Sequence, residues 1–75
     1  MNYEYKKLKP IKINCVRKLR LYNDLDQSKV SIKTRIPYSV ISKIENQKRM
    51  ITKKEEEKLA TLFGVNVNQL YESEE

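Results

Sequence analysis

Residues 34–47, with the sequence TRIPYSVISKIENQ, have a helical period with one apolar side and one unusual polar side. At about 100° per residue, the apolar half of the helical wheel consists of Pro37, Val40, Ile41 and Ile44. The other half carries short hydrogen-bonding groups where a helix in water usually exposes long charged side chains: Tyr38, Ser39, Ser42, Lys43 and Asn46. Such a slim face without acids predicts contact with a polar or anionic partner.

The length and charge of the chain predict one small basic domain. Its 75 residues are near the lower size at which a single core folds unaided. Residues 1–54 carry 15 Lys/Arg against four acids, whereas residues 55–75 carry one Lys against six acids. A net charge of +6 with this asymmetry indicates a polyanionic partner. Composition alone is equally compatible with a solvated, lysine-rich surface.

The residue types present argue against several classes of protein. A lone cysteine and the absence of histidine leave no intramolecular disulfide and none of the usual zinc spacings. Without a nucleophile–base pair or a glycine-rich phosphate loop, we expect no enzyme, no catalytic residue, no metal site and no cofactor. No apolar run is long enough for a membrane span or a signal peptide, so the predicted location is cytoplasmic.

Two helices are predicted before residue 34. Residues 14–24 (NCVRKLRLYND) have a helical period, with Asn14 as a cap. The predicted buried face of this helix contains Cys15, Val16, Leu19 and Tyr22. Residues 27–34 (QSKVSIKT) follow the capping residue Asp26 and offer only Val30 and Ile32 as large apolar residues. A third helix is predicted from Pro37 to Asn46, because proline suits a helix entrance.

Two more helices are predicted after residue 51. Thr52 and Glu55 form a capping box, and Gly64 is the expected C-terminal stop. The buried stripe of this fourth helix contains Leu59, Leu62 and Phe63. Asn66 opens a last short helix, VNQLYE, which is predicted to bury Val67, Leu70 and Tyr71. The predicted organisation is an N-terminal basic arm at residues 1–12, a five-helix, all-α domain at residues 13–72 and an acidic tail at residues 73–75.

The joint pattern resembles the helix-turn-helix domains of the phage repressor and Cro type, the XRE-like regulators. The resemblance covers about residues 13–71 and is strongest in residues 25–49, LDQSKVSIKTRIPYSVISKIENQKR. The residues that match the family pattern there are Leu25, Gln27, Ser31, Ile36, Ser39, Ile41, Ser42, Ile44 and Glu45. Residues 59–71, LATLFGVNVNQLY, are similar to the end of the family's domain.

The resemblance implies a role in DNA binding for several side chains. It makes the third helix the recognition helix, with Tyr38, Ser39 and Lys43 facing base edges in the major groove, and the polar side of the helix adds Ser42 to this set. For DNA phosphates, the flanking basic residues Arg35, Lys48 and Arg49 are placed to make contacts, and the resemblance adds Gln27 and Asn46. It also pairs Arg20 with Glu45 as a structural link between the first and third helices. The lysine-rich arm (residues 6–12) could be disordered or could contact the DNA backbone.

The sequence departs from the family pattern at several positions. Arg35 stands where the turn usually has glycine, so it must adopt a left-handed or distorted backbone. Ser31 replaces the usual alanine and Thr34 a common leucine, while Lys53 and Glu56 occupy positions that are often apolar. These substitutions predict a weak core, which a homodimer would strengthen.

The resulting hypothesis is a sequence-specific regulator of transcription, acting as a repressor, that binds a palindromic operator on double-stranded DNA as a homodimer. A chain with no further domain fits a control protein of a phage or mobile element, a restriction–modification controller or an autorepressing antitoxin. The alternative is an antitoxin or anti-repressor whose main partner is another protein, such as a toxin or RNA polymerase. An exposed Leu21, the C-terminal YESEE and the tyrosine-rich arm would suit that alternative.

Overall fold

The computed structural model describes residues 12–72, which form four α-helices and one 3₁₀ helix. The elements are α1 (Val16–Tyr22), α2 (Gln27–Thr34), α3 (Tyr38–Glu45), α4 (Lys53–Phe63) and the 3₁₀ helix (Val67–Leu70). The predicted all-α class is therefore confirmed. The predicted arm, apart from Lys12, and the acidic tail at residues 73–75 lie outside the described residues.

Local capping signals set the ends of α2 and α4 as predicted. The Asp26 carboxylate accepts the backbone N–H of Lys29 at 2.8 Å. The Thr52 hydroxyl accepts the N–H of Glu55 at 3.2 Å, and the Glu55 carboxylate accepts the N–H of Thr52 at 3.0 Å. Gly64 ends α4 in the left-handed region with φ of 70°. Each of these contacts satisfies a backbone group that the helix itself leaves unpaired.

The core lies between the apolar sides of all five elements. The buried apolar residues are Val16, Val30, Ile36, Ile41, Ile44, Ile51, Leu59, Ala60, Phe63 and Leu70. Both isoleucines of α3 are fully buried, which confirms the apolar side predicted for that helix. Packing of this side against α1 and α2 leaves the opposite side of α3 facing outward.

The buried side of α1 differs from the prediction. Tyr22 was expected in the core and is instead 85% exposed. The helix also begins two residues later than Asn14, although the Asn14 side-chain oxygen accepts the N–H of Val16 at 3.1 Å. The nearly buried Arg20 lies on the inner side of α1. Because the helix is oriented with Arg20 inward, Tyr22 faces solvent.

The last described residues return to the start of the domain. The N–H of Cys15 donates to the carbonyl of Leu70 at 2.7 Å, and that of Glu72 donates to the carbonyl of Ile13 at 2.9 Å. Within residues 12–72, the antiparallel bridge between Asn14 and Tyr71 is the only β-type pairing. Val67, predicted to be buried, is exposed, because a single 3₁₀ turn directs only the Leu70 side chain into the core.

The ring of Tyr71 joins this bridge to α4. Its hydroxyl donates a hydrogen bond to the Glu56 carboxylate, and the Lys12 ammonium lies 4.9 Å from the ring centroid. Burial, together with the Glu56 hydrogen bond, raises the pKa of the Tyr71 phenol. Glu56, whose acidic side chain was expected to weaken the core, therefore helps to hold the end of the domain.

No helix among the described residues combines the length and apolar character that crossing a membrane requires.

The turn between α2 and α3 is formed without glycine. Arg35 has φ of 65°, which is the left-handed one of the two conformations, left-handed or distorted, that the resemblance implied for this position. The Ser31 hydroxyl donates to the carbonyl of Ile36 at 2.6 Å. The buried Thr34 hydroxyl donates to the carbonyl of Val30 at 2.7 Å and accepts the N–H of Ile36 at 3.2 Å. The two hydroxyls that replace apolar side chains therefore satisfy backbone groups of the turn.

The strained backbone at Arg35 yields a test of the turn. We expect Arg35→Gly to be more stable than Arg35→Ala by about 1 kcal/mol, because only glycine avoids the Cβ clash at positive φ. Both substitutions remove the same side chain, so the comparison isolates the backbone. Urea denaturation monitored by circular dichroism measures the two free energies of unfolding.

The matched control is the same pair of substitutions at Lys58, an exposed position inside α4. There the order should reverse, with glycine less stable than alanine by about 1 kcal/mol. Equal stability of the two Arg35 variants would contradict strain at the turn.

Candidate nucleic-acid interface

The outward side of α3 carries the polar groups that the sequence analysis singled out. Tyr38, Ser39 and Lys43 are exposed, whereas Ser42 is half-buried. Pro37 precedes the helix with φ of −56°, close to the value that its ring imposes. The structure thus brings these four side chains onto one side of a short helix, with fully buried Ile41 and Ile44 behind them.

The outward side offers both donors and acceptors. The hydroxyls of Tyr38, Ser39 and Ser42 can act as either, and the Lys43 ammonium is a donor with a full charge. Among residues 12–72, Lys43 has no carboxylate within ion-pair distance. Its charge is therefore available to an external acceptor such as a base edge or a phosphate.

A buried carboxylate at the end of α3 links three helices. The Glu45 side chain has no solvent exposure and accepts four hydrogen bonds. Arg20 of α1 donates from Nε to Oε2 at 2.6 Å and from Nη2 to Oε1 at 3.0 Å. Gln27 of α2 donates from Nε2 to Oε1 at 3.0 Å. Arg20 also donates to the carbonyl of Leu25 at 2.9 Å, so the connection between α1 and α2 joins the same cluster.

The donors determine the protonation of Glu45. Burial disfavours the charged carboxylate, but the hydrogen bonds from Arg20, Gln27 and Arg17 outweigh burial and lower the pKa of Glu45 below its usual 4.5. A negative charge in the last turn of a helix is also unfavourable to the helix dipole. The carboxylate therefore depends on the arginines of α1, and the orientation of α3 depends on the carboxylate.

A second set of hydrogen bonds holds the residues that follow α3. Gln47 has a left-handed backbone with φ of 60°. Its side-chain oxygen accepts the N–H of Asn14 at 3.2 Å, and its side-chain nitrogen donates to the Asn14 carbonyl at 3.1 Å. The Asn14 amide in turn donates to the carbonyl of Ile44 at 2.9 Å. The segment before α1 is thereby fastened to the end of α3.

The five predicted phosphate contacts have different surroundings. Arg35 and Lys48 are exposed, and neither forms an ion pair with another residue between 12 and 72. Arg49, in contrast, donates from both terminal nitrogens to Glu55, at 2.8 and 3.2 Å. Burial acts against the charged Glu55, yet Arg49 and the Thr52 groups lower its pKa. The positive charge of Arg49 is therefore largely balanced inside the protein.

The two amides of the predicted phosphate set are partly occupied. Gln27 uses one amide N–H for Glu45. Asn46 donates from Nδ2 to the Ser42 carbonyl at 2.9 Å, and its oxygen accepts from Arg17 Nη2 at 3.1 Å. Because a side-chain amide has two N–H groups, each retains one donor for an external acceptor.

One cation beside this cluster, Arg17, was not among the site residues predicted from the sequence. Arg17 of α1 donates from Nε to Glu45 Oε1 at 3.3 Å and also contacts Asn46. Its position three residues before Arg20 was an available signal, because residues at this spacing share a side of a helix. The resemblance to known regulators predicted a contact with Glu45 for Arg20 only.

The lowered pKa of Glu45 predicts a specific pH dependence of stability. We expect Glu45→Gln to cost about 3 kcal/mol at pH 7, because Arg20 would lose its buried counter-charge. A carboxylate whose pKa is lowered by folding stabilises the protein above its unfolded pKa, and this contribution is lost as the pH falls through the folded value. The difference in free energy of unfolding between wild type and Glu45→Gln should therefore narrow below about pH 4.5.

Urea denaturation at several pH values between about 3 and 7 measures this difference. Glu57→Gln, which neutralises an exposed acid of α4, is the matched control and should remain close to wild type throughout. A difference that stayed constant down to pH 3 would show that the charge of Glu45 is not what stabilises the fold.

Comparison with known proteins agrees with this geometry. A helix-turn-helix family model matches residues 16–70, which span α1 to the 3₁₀ helix. No curated protein and no solved structure is significantly similar to the chain. The family consists of DNA-binding regulatory domains, which are not typically enzymes. The chain therefore belongs to the XRE-like, Cro/C1-type helix-turn-helix family of DNA-binding regulators.

Proposed function

We propose that this DNA-binding regulator is a transcriptional repressor in the cytoplasm that binds a palindromic operator as a homodimer. The observation that carries the proposal is the outward side of α3, which has hydrogen-bonding groups and one unbalanced cation but no acid. An α-helix fits the major groove of B-DNA, where each base pair presents a distinct pattern of donors and acceptors. In this proposal α3 is the recognition helix.

The base-reading residues in this proposal are Tyr38, Ser39, Ser42 and Lys43. Lys43 is suited to the O6 and N7 acceptors of guanine, and the serine hydroxyls can bond either donors or acceptors. The Tyr38 ring can contact a thymine methyl group. Ser42 is less exposed than the other three, so its hydroxyl would need a closely approaching base.

The phosphate-binding residues flank this helix. Arg35 and Lys48 contribute charges that are unbalanced among residues 12–72, and Gln27 and Asn46 contribute one remaining N–H each. For Arg49, binding a phosphate would require sharing its guanidinium with Glu55. These contacts would set the register of the protein on DNA without reading its sequence.

Two copies of the chain would place their recognition helices in successive major grooves, about 34 Å apart. A palindromic operator follows from the twofold symmetry of such a dimer. Repression is the simplest mechanism, because a protein that occupies a promoter blocks it without any further contact. The apolar side chains that α1 and α2 leave exposed, Leu21 at 57% and Ile32 at 74%, support a protein–protein contact of this kind.

The same exposed side chains favour a second candidate, an antitoxin or anti-repressor whose main partner is another protein, such as a toxin or RNA polymerase. The two candidates differ in their behaviour with salt. An operator-binding protein loses affinity steeply as salt increases but keeps its preference for one sequence. Equal binding to random and selected fragments at every salt concentration would favour the second candidate.

Selection of bound duplexes from a random DNA pool tests the proposed function directly. We expect enrichment of one motif with two inverted half-sites, whose centres lie about 10 base pairs apart. Enrichment of a motif without symmetry would contradict the dimeric operator. A pool without any enriched motif would contradict sequence-specific binding altogether.

Lys43→Ala tests base reading on the selected duplex. We expect a loss of about 1–3 kcal/mol in binding free energy and a relaxed preference at one base pair of each half-site. Fluorescence anisotropy with duplexes that carry each base at that position measures both effects. Lys58→Ala, which removes the same charge from the exposed side of α4, is the control and should preserve the preference. An equal loss on every sequence would make Lys43 a phosphate contact.

A further inference from the structure

Arg17 is a cation that its protein contacts only partly occupy. Its guanidinium has five N–H donors, of which Nε bonds Glu45 at 3.3 Å and one on Nη2 bonds Asn46 at 3.1 Å. The side chain is 54% exposed. Three N–H groups thus remain for a ligand on a side chain that two contacts already orient.

The charge balance of the cluster leaves Arg17 in excess. Arg20 is only 12% exposed and bonds both oxygens of Glu45 at 2.6 and 3.0 Å, so these two residues neutralise each other. Arg17 adds one positive charge to this neutral pair. Its own contact with Glu45 is longer, at 3.3 Å, and the Arg17 side chain is itself about half exposed. Stabilising Glu45 therefore uses only part of the hydrogen-bonding capacity of Arg17.

The location of this excess charge points to a ligand. Asn46, which accepts from Arg17, is the residue that ends α3 and donates to the carbonyl of Ser42. The Arg17 guanidinium consequently lies at the C-terminal end of α3, although it belongs to α1. A planar guanidinium with three free N–H groups can donate to the non-bridging oxygens of a phosphodiester.

We propose that Arg17 binds a phosphodiester of the DNA backbone, and that Glu45 and Asn46 hold its guanidinium in position for this contact. This inference rests on the proposed function, since the phosphate belongs to the DNA that α3 would read. It adds α1 to the elements that contact DNA. Arg20 remains the structural partner of Glu45, whereas Arg17 contacts Glu45 from the solvent side and faces the DNA.

The dependence of binding on salt tests the inference. Each phosphate contact contributes about 0.9 to the slope of log K against log salt concentration. We expect Arg17→Gln to lower the slope by about 0.9 per bound copy of the chain, on both the selected duplex and a scrambled duplex. Its preference for the selected duplex over the scrambled one should stay within about twofold of wild type, since phosphate contacts carry no sequence information.

Two further variants separate the contact from other effects. Lys18→Gln removes the same charge from the next exposed residue of α1 and should leave the slope as in wild type. Arg17→Lys keeps the charge but loses the planar pair of N–H donors. The salt slope should therefore equal the wild-type value, while the affinity for DNA stays below that of wild type. Because Arg17→Lys keeps a cation beside Glu45, it also serves if Arg17→Gln unfolds.

A neutral phosphate analogue locates the contact on the selected duplex. Replacement of single phosphates by methylphosphonates should reveal one position in each half-site where wild type loses the most affinity, Arg17→Lys loses less because it has only a point charge there, and Arg17→Gln loses the least. An unchanged salt slope in Arg17→Gln, or equal sensitivity of wild type and variant to every methylphosphonate, would overturn the inference. If wild type itself had no preferred duplex, the proposed function would fail instead, so the two failures are distinguishable.

Discussion

The buried carboxylate of Glu45 joins α1, α2 and α3 through its hydrogen bonds. It lies without solvent exposure at the C-terminal end of α3, where the helix dipole disfavours a negative charge. A buried charge in this position is tolerable only with good hydrogen-bond geometry, and its four donors come from α1 and α2. Any rotation of α3 would break several of these bonds together, so the network restricts the orientation of its outward side.

The turn before α3 supplies the constraint at the other end of this helix. Arg35 adopts a conformation that glycine would adopt more easily, and the hydroxyls of Ser31 and Thr34 bond backbone groups on either side of it. The entrance of α3 is thus fixed by short-range hydrogen bonds, and its end by the long-range cluster around Glu45. A helix of only eight residues needs both, because its isolated stability in water is negligible.

Fewer cations near the candidate interface are available to DNA than the overall charge suggests. Some cations are balanced inside the protein, as Arg20 is by Glu45 and Arg49 is by Glu55. Others, such as Lys43 and Lys48, have no acidic partner between residues 12 and 72. For a DNA-binding regulator this distinction matters, because only a cation that is not already neutralised can release counterions from the duplex.

The family, the all-α class, the caps of α2 and α4 and the apolar side of α3 could be predicted from the amino-acid sequence. The caps and the apolar side depend on neighbours within about four residues or on a helical period, both of which can be read along the chain. The left-handed turn at Arg35 was expected only from the resemblance to the family. The outward position of Tyr22, and the hydrogen bonds of Gln27 and Asn46 to protein groups, result from the packing of the helices and could not be predicted from the sequence. The role of Arg17 likewise depends on tertiary packing. Its contacts with residues 45 and 46 form only when α1 packs against α3, and no local sequence pattern predicts the geometry of that packing.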